Sequence, residues 1–264
     1  MLTRRLPSRR NFLRGVAVSA SAAVLAGCDR LDSLSQSDWF RRNVLHIGED
    51  INTAVQRFFL KPTSLAREFT EADISKKFKA NGSTDPDDPE YQALAANKFA
   101  DYRLKIGGLV ENPMEFSLAD LRAMPSRTQI TRHDCVEGWS CIGKWTGVQL
   151  ALVLEKVKLK PEARYILFTC FDTLEQTLDD TGRYYETHAL EDAFHPQTIL
   201  AYDMNGGVLD IPHGAPLRLR TERTLGYKMA KYIMSIDAID DYSKISLGNG
   251  GFWEDRGYDW YAGI

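Results

Sequence analysis

Val44, Ile47, Ile51, Val55, Phe58 and Phe59 recur at three- and four-residue intervals. That spacing predicts an amphipathic helix over 41–60. Residues 79–91, KANGSTDPDDPEY, are rich in Asn, Gly, Asp and Pro and are expected to be loop. Tyr102, Leu104 and Ile106 alternate with polar neighbours, which predicts a strand, and Gly107-Gly108 predicts a turn after it. Ser117-Leu-Ala-Asp120 has the form of a capping box and predicts a short helix. Ile130 to Cys135 reads as a strand. Thr146-Gly-Val-Gln149 reads as a second capping box, opening a helix through Val157 with Val148, Ala151, Leu152 and Leu154 available for packing. Tyr165 to Cys170 is expected to be a strand buried on both faces, 172–184 a polar loop, and Thr187 to Ala193 a short helical piece stopped before Pro196. Thr198 to Met204, the Asn205-Gly206-Gly207 turn and Val208 to Ile211 predict a β-hairpin. Pro216 to Arg220 and Lys231 to Ala238 read as further strands, and the tail 247–264 is rich in Gly, Trp and Tyr. Strands and short helices interleave with no repeat and no regular βαβ rhythm, so the expected fold class is α+β.

The start of the chain stands apart. All the charges in residues 1–27 are arginine (Arg4, Arg5, Arg9, Arg10, Arg14), and an uncharged run from Gly15 to Gly27 follows. A basic segment followed by a short apolar one is a secretory signal. The run is too short for a membrane span, which needs roughly 20 apolar residues. Ser8-Arg9-Arg10-Asn11-Phe12-Leu13 looks like a twin-arginine export motif, the alternative being a generic basic leader. Leu25-Ala26-Gly27-Cys28 resembles a lipoprotein cleavage box, which would make Cys28 the lipidated first mature residue; ordinary cleavage without a lipid is the alternative. Asp29 after it resembles an inner-membrane retention signal. The expected organisation is a signal peptide over 1–27, a tether and N-terminal helix over 28–60, and one domain over 61–264. The expected location is the periplasm, anchored to the inner membrane through Cys28.

Composition is that of an ordinary globular protein, 44% hydrophobic and 26% charged. The net charge of −3 becomes −8 once the five leader arginines are removed, which gives no case for nucleic-acid binding. With Cys28 set aside, Cys135, Cys141 and Cys170 remain. An odd number in an oxidising compartment leaves at least one thiol with a task other than a disulfide.

Two of the three lie in Arg132–Gly147, RHDCVEGWSCIGKWTG. Cys135 suits a metal ligand or a nucleophile, because a thiolate is a soft, strong donor. His133, Cys135 and Cys141 lack a CxxC knuckle and a fourth ligand, which disfavours zinc. The plainer reading, a small buried thiol, suits Cys170 in its apolar strand and Cys141 better than Cys135, which stands between Asp134 and Glu137. Trp139 and Trp145 are candidates for a substrate funnel, with packing expected for at least one.

Cys135-Val-Glu-Gly-Trp-Ser with Trp145-Thr-Gly, then Leu200-Ala-Tyr-Asp-Met-Asn-Gly-Gly, His213-Gly-Ala-Pro-Leu-Arg218 and Gly226-Tyr-Lys-Met-Ala-Lys231, resemble in order and spacing the sulfite oxidase superfamily. The likeness covers roughly residues 75–245 and is to the branch that contains the periplasmic methionine sulfoxide reductase catalytic subunit. It implies a molybdopterin-binding fold of mixed sheets and short helices, and a mononuclear molybdenum on one molybdopterin. Cys135 matches the metal ligand. His213, Arg218, Lys228 and Lys231 match residues that hold the pterin's phosphate and polar edges. Taken alone, Arg218 could face solvent from its strand, His213 could cap a turn and the lysines could be surface charges; the resemblance favours the pterin for Arg218 and His213 and leaves the lysines open. Phe78 and Asn81 lie where another pterin-contacting loop is expected, and Cys170 stands where relatives have a cofactor-contacting threonine.

The likeness also implies oxygen-atom transfer on a small-molecule substrate, with reduction of an S-oxide favoured. Sulfite oxidases proper carry an arginine-rich segment after the ligand cysteine. Here it is Val-Glu-Gly-Trp-Ser, and Glu137 is ill suited to draw in a dianion. No immunoglobulin-like dimerisation domain follows the core, so a monomer is expected. There is no CxxCH haem motif, so a separate electron partner is expected, a membrane cytochrome b or a periplasmic cytochrome c. The alternatives are a sulfite dehydrogenase, or a non-catalytic lipoprotein on the same fold.

Overall fold

The computed structural model describes residues 46–264 apart from 60, 62 and 180. Cys28, the arginine-rich leader and most of the tether therefore lie outside the described residues. The chain divides into two units, 1–55 and 56–264. Helix α1 (His46–Phe59) forms where the apolar period predicts one. Its Ile47, Ile51 and Val55 are exposed.

Along the second unit run α2 (Pro89–Ala96), β1 (Arg103–Gly108), β2 (Met114–Ser117), α3 (Leu118–Ala123), β3 (Ser126–Asp134), β4 (Ser140–Gln149), α4 (Leu150–Val157), β5 (Tyr165–Thr173), β6 (Arg183–Ala189), α5 (Leu190–Ala193), β7 (Ile199–Met204), β8 (Gly207–Val208), β9 (Arg218–Arg220) and β10 (Ile233–Ile239). One sheet has the order β2-β1-β10-β5-β6, with β1 and β10 parallel and its other pairs antiparallel. The other has the order β3-β4-β7-β8, with β9 also on β7, and is antiparallel throughout. The α+β expectation holds.

Several local expectations are met for their stated reasons. The Ser117 hydroxyl accepts from the Asp120 amide at 3.1 Å, and the Asp120 carboxylate accepts from the Ser117 amide at 2.8 Å, so the capping box opens α3. Others change. The predicted loop 79–91 ends early, because Asp88 caps α2, accepting from the Tyr91 amide at 3.0 Å with Pro89 in the first turn. Gly107 and Gly108 belong to β1 rather than to a turn after it. The predicted helical piece 187–193 is strand as far as Ala189, and only Leu190–Ala193 is helical.

The largest correction falls on Thr146. It is no helix cap but a mid-strand residue of β4, facing Thr128 with the two hydroxyls 2.8 Å apart. The helix begins at Leu150 and buries Leu150, Val153, Leu154 and Val157, a cleaner helical stripe than the one expected. Gly147 explains why a strand prevails here. A Cβ at Gly147 would lie 2.2 Å from the Leu200 carbonyl oxygen, so β4 and β7 approach each other across a bare backbone. Gly147→Ala is expected to force these strands apart and to destabilise the fold by about 1–3 kcal/mol. Urea unfolding followed by circular dichroism would show it as a lower midpoint with an unchanged slope.

The main core lies against the first sheet, with α4 and the buried residues of β1, β5 and β10. A smaller cluster of Phe78, Cys141, Trp145, Ile199, Ala201, Leu209 and Ala215 lies under the second sheet. Trp145 of this second cluster lies under Arg218, and Phe78 packs against Trp145 and the His213 ring.

Candidate active site

β3 and β4 form a hairpin whose tip is Cys135–Trp139. The Cys135 amide donates to the Trp139 carbonyl and the Gly138 amide to the Cys135 carbonyl, each at 3.0 Å. This closes the tip and holds Cys135 with 8% of its surface exposed. The thiol is free, and the Asn81 amide nitrogen lies 3.6 Å from its sulfur. Cys141 and Cys170 are also free and buried, so no disulfide forms among the three. Glu137 is turned sideways: it accepts from Trp139 Nε1 at 2.8 Å and pairs with Lys79 at 3.2 Å. The Trp139 hydrogen bond and then Lys79 hold its carboxyl below the usual range. Lys79 largely cancels its charge, so Glu137 weighs less against an anionic substrate than the sequence suggests.

A buried polar network lies beneath the tip. Arg220 grips Glu222 with two bonds of 2.9 and 2.7 Å and donates to His133 Nδ1 at 3.1 Å. Gln129 donates to the same Glu222 carboxylate at 2.9 Å. Arginine can only donate, so His133 Nδ1 must accept, and the ring is neutral with its proton on Nε2. Burial, then Arg220, Arg218 and Lys231, push the imidazole well below its usual pKa. Nε2 is buried with no partner. The ring rests on Gly226, where a Cβ would come within 2.4 Å of Nε2, so only glycine permits this approach.

Trp145 is fully buried and serves packing rather than a funnel. The guanidinium carbons of Arg218 and Arg220 lie 4.8 and 4.5 Å from its ring centre, and Phe78 meets it edge-on at 5.3 Å. Arg218 does not face solvent. It is 3% exposed, donates to the His213 carbonyl at 2.9 Å, and leaves its Nε without a partner. Burial and then Arg220 push its pKa down to about 9. It remains charged at neutral pH and has no carboxylate partner among the described residues.

Beside it opens a pocket of about 400 Å³, its open mouth included, lined by Asn81, Ser83, Asp172, Tyr184, Arg218 and Lys231 among others. Lys231 donates to the carbonyls of Asn81 at 2.7 Å, Pro212 at 3.3 Å and Ser83. Burial and then Arg218 push its pKa down to about 7. The tail returns to close one side. Trp253 lines the pocket, the Tyr227 hydroxyl donates to the Asp259 carbonyl at 2.6 Å, and the Leu225 amide donates to the Ala262 carbonyl at 2.9 Å.

The structure thus gathers Cys135, Asn81, Arg218 and Lys231, with Phe78 and His213 supporting them. The His213 ring is tied to Asp210 at 2.5 Å and to the Phe78 carbonyl at 3.2 Å, and lies 5.7 Å from the Phe78 ring. Two expected cofactor residues have their side chains turned elsewhere. The Lys228 ammonium is buried between Glu186 at 2.5 Å and Glu254 at 2.6 Å. Cys170 is fully buried in the main core, where burial and then Asp172 raise its thiol pKa well above normal. Neither side chain lines the pocket. The sequence reading missed Asp172, Tyr184 and the His133–Arg220–Glu222 network. Only an acid at the end of the apolar run FTCFD gave any signal.

A buried guanidinium with no carboxylate partner among the described residues, near a free thiol that touches the same Asn81 loop, suits an anionic, metal-bearing cofactor. Comparison with known proteins agrees. The oxidoreductase molybdopterin binding domain matches residues 91–246. The chain is 34% identical, over 98% of its length and 88% of the relative's, to a protein named as the protein-methionine-sulfoxide reductase subunit YedZ1 of Azospira oryzae. It is 29% identical, over 97% of its length and 80% of the relative's, to the protein-methionine-sulfoxide reductase catalytic subunit MsrP of Campylobacter jejuni. The same subunit of Xanthomonas axonopodis pv. citri is 35% identical over 60% of this chain and half of its own. The sulfane dehydrogenase SoxCD of Paracoccus pantotrophus shares 24% identity at a TM-score of 0.47, covering 54% of this chain and 39% of its own. The chain belongs to the molybdopterin-binding oxidoreductases of sulfite oxidase type. Molybdopterin carrying a single molybdenum is the family's cofactor, and the residues present fit it: Arg218 has an unpartnered buried Nε for an anion, and Cys135 has a free thiol for a metal.

Proposed function

We propose that this protein is the catalytic subunit of an exported S-oxide reductase acting on methionine sulfoxide or a similar small sulfoxide. The observation that carries this reading is the free Cys135 thiol at a braced hairpin tip, touching Asn81 of a pocket whose arginine lacks a counter-charge. The relatives' names supply the substrate class.

Cys135 would be the protein's ligand to the molybdenum, since a thiolate is a soft donor and Asn81, which lines the pocket, lies 3.6 Å from its sulfur. Arg218 and Lys231 take the pterin's anionic end. The bound metal supplies a two-electron centre for oxygen-atom transfer. Overall, a sulfoxide takes two electrons and two protons and leaves as sulfide and water. The chain's own groups set the stage for this. His133 is locked as a neutral donor through Nε2, and Trp145 lies as a plate beneath two guanidinium groups. Trp139, held by Glu137, packs at the hairpin tip beside His133.

The leader Ser8–Leu13 and the box ending at Cys28 support export by the twin-arginine route and a lipid anchor in the inner membrane. A membrane cytochrome b or periplasmic cytochrome c would deliver the electrons. Sulfite dehydrogenation is the second reading, favoured by the pairing of Glu137 with Lys79. Protein from a cofactor-competent host is expected to contain near-stoichiometric molybdenum and pterin and to oxidise a reduced dye when given methionine sulfoxide. Reduction of cytochrome c by sulfite, with no turnover of sulfoxides, would replace the first reading by the second. An active protein free of molybdenum would end both.

A further inference from the structure

Helix α1 carries an apolar face that contains no charged residue. At about 100° per residue, Ile47, Ile51, Ala54 and Val55 fall within an arc of roughly 100°. All four are exposed, the three larger ones at 54, 59 and 48%. The helix also has a fastened side. Gln56 falls opposite Ile47 in the helical period, donates its side-chain amide to the Gly263 carbonyl at 2.9 Å, and accepts from the Tyr261 hydroxyl at 3.0 Å. At that end the helix is held by a polar position. A helix of this length is marginal in water, and it draws most of its stability from covering an apolar face.

Two features of the chain say what covers this one. The first is where the preceding segment ends. On the export reading Cys28 bears a lipid, and residues 29–45 join it to α1. Even fully extended, a segment of that length reaches no farther than roughly 60 Å. The lipid thus keeps α1 beside the bilayer, where its binding is in effect intramolecular. The second feature is charge. The chain beyond the leader is acidic overall, yet the stretch around α1 holds Arg41, Arg42, Arg57 and Lys61 against Glu49 and Asp50. A basic stretch beside an apolar helical face suits an anionic phospholipid surface. With 14 residues α1 is too short to cross a hydrocarbon core of about 30 Å, so it can only lie along the surface.

We propose that α1 is a second membrane contact, lying in the headgroup layer of an anionic phospholipid bilayer with Ile47, Ile51 and Val55 turned toward the acyl chains. The inference rests on the lipid-anchor reading of Cys28 and goes beyond it. With two attachments instead of one, the chain no longer turns freely about its lipid.

The test removes the lipid from the question. The chain from residue 28 onward is prepared with Cys28→Ser, so that no acyl chain contributes. The same chain is prepared with Ile47→Gln and Ile51→Gln added. Glutamine keeps the helix propensity, and both positions are exposed, so this variant is expected to melt with its parent. Binding is read by flotation with protein-free vesicles of phosphatidylethanolamine and phosphatidylglycerol, and with vesicles of phosphatidylcholine alone. The parent is expected to float with the anionic vesicles and less with the neutral ones. The glutamine variant is expected to bind the anionic vesicles about tenfold more weakly or worse, because two isoleucine side chains no longer leave water. No binding by the parent, or equal binding by parent and variant, overturns the inference. Dimerisation of the parent without vesicle binding, lost in the variant, overturns it in favour of a second copy of the chain. Binding only to membranes that hold a protein partner overturns it in favour of that partner. Lipidation itself is read from the mass of the exported wild type. An unlipidated mass overturns the lipid reading without altering the vesicle result, so the two failures are told apart.

Discussion

Cys135→Ser is expected to abolish turnover of sulfoxide while leaving the protein folded. A serine hydroxyl is a poor donor to molybdenum at neutral pH, whereas a thiolate is a strong one. The fold has little stake in the sulfur. Among the described residues its one side-chain hydrogen-bond approach is that of Asn81 at 3.6 Å, and the tip is closed by backbone bonds that serine keeps. Stability should therefore change by about 1 kcal/mol or less. The measurement pairs steady-state activity with a thermal melt and the electron paramagnetic resonance signal of the metal. An active serine variant with an unaltered signal would remove Cys135 from the metal. Loss of activity together with a collapsed melt would show that the thiol matters to the fold instead.

The second large effect is on stability. Lys228→Met leaves Glu186 and Glu254 buried beside each other with no counter-ion, and breaking a buried ion pair in this way costs roughly 3–5 kcal/mol. In the intact protein burial disfavours a charged Lys228, but Glu186 and Glu254 outweigh it, and its pKa is raised. Burial and then Glu254 raise the Glu186 carboxyl well above its normal range, against the pull of Lys228. Removing the ammonium raises the Glu186 carboxyl further. A group whose pKa is higher folded than unfolded stabilises below its unfolded pKa and loses that contribution as pH rises through the folded one. The deficit of Lys228→Met should therefore be smallest in acid and grow as pH rises above the ordinary carboxylate range. Chemical denaturation of both proteins across pH would show this, and a deficit independent of pH would contradict the arrangement.

Much of the fold could be read in advance, because period and capping are local signals. The α3 capping box, the β5 apolar run and the β7–β8 hairpin all formed from residues that specify them alone. Thr146 misled because Thr-x-x-Gln also occurs in a strand, and the deciding fact is the approach of Gly147 to Leu200, more than fifty residues away. The site divides along the same line. Cys135, Arg218 and Lys231 belong to ordered blocks that the sequence displays, and Asn81 lies where a further cofactor-contacting loop is expected. Lys228 belongs to such a block too, yet its ammonium turns to Glu186 and Glu254, which no local pattern announces. Whether Arg218 faced solvent or the pocket depended on Trp145 and His213, which meet it only in the folded chain. Asp172 was invisible because only the folded chain places it in the lining of the pocket.

The returning tail imposes an order in time. Every strand of both sheets ends by Ile239, so the sheets can form while the following residues are still being added. The pocket cannot be complete at that stage. Its Trp253 side, the second carboxylate around Lys228 and the bonds from Tyr227 and Leu225 to Asp259 and Ala262 all await the last stretch of this sequence. The Trp253 side is thus the last part of the pocket's lining in chain order, contributed only after both sheets are complete.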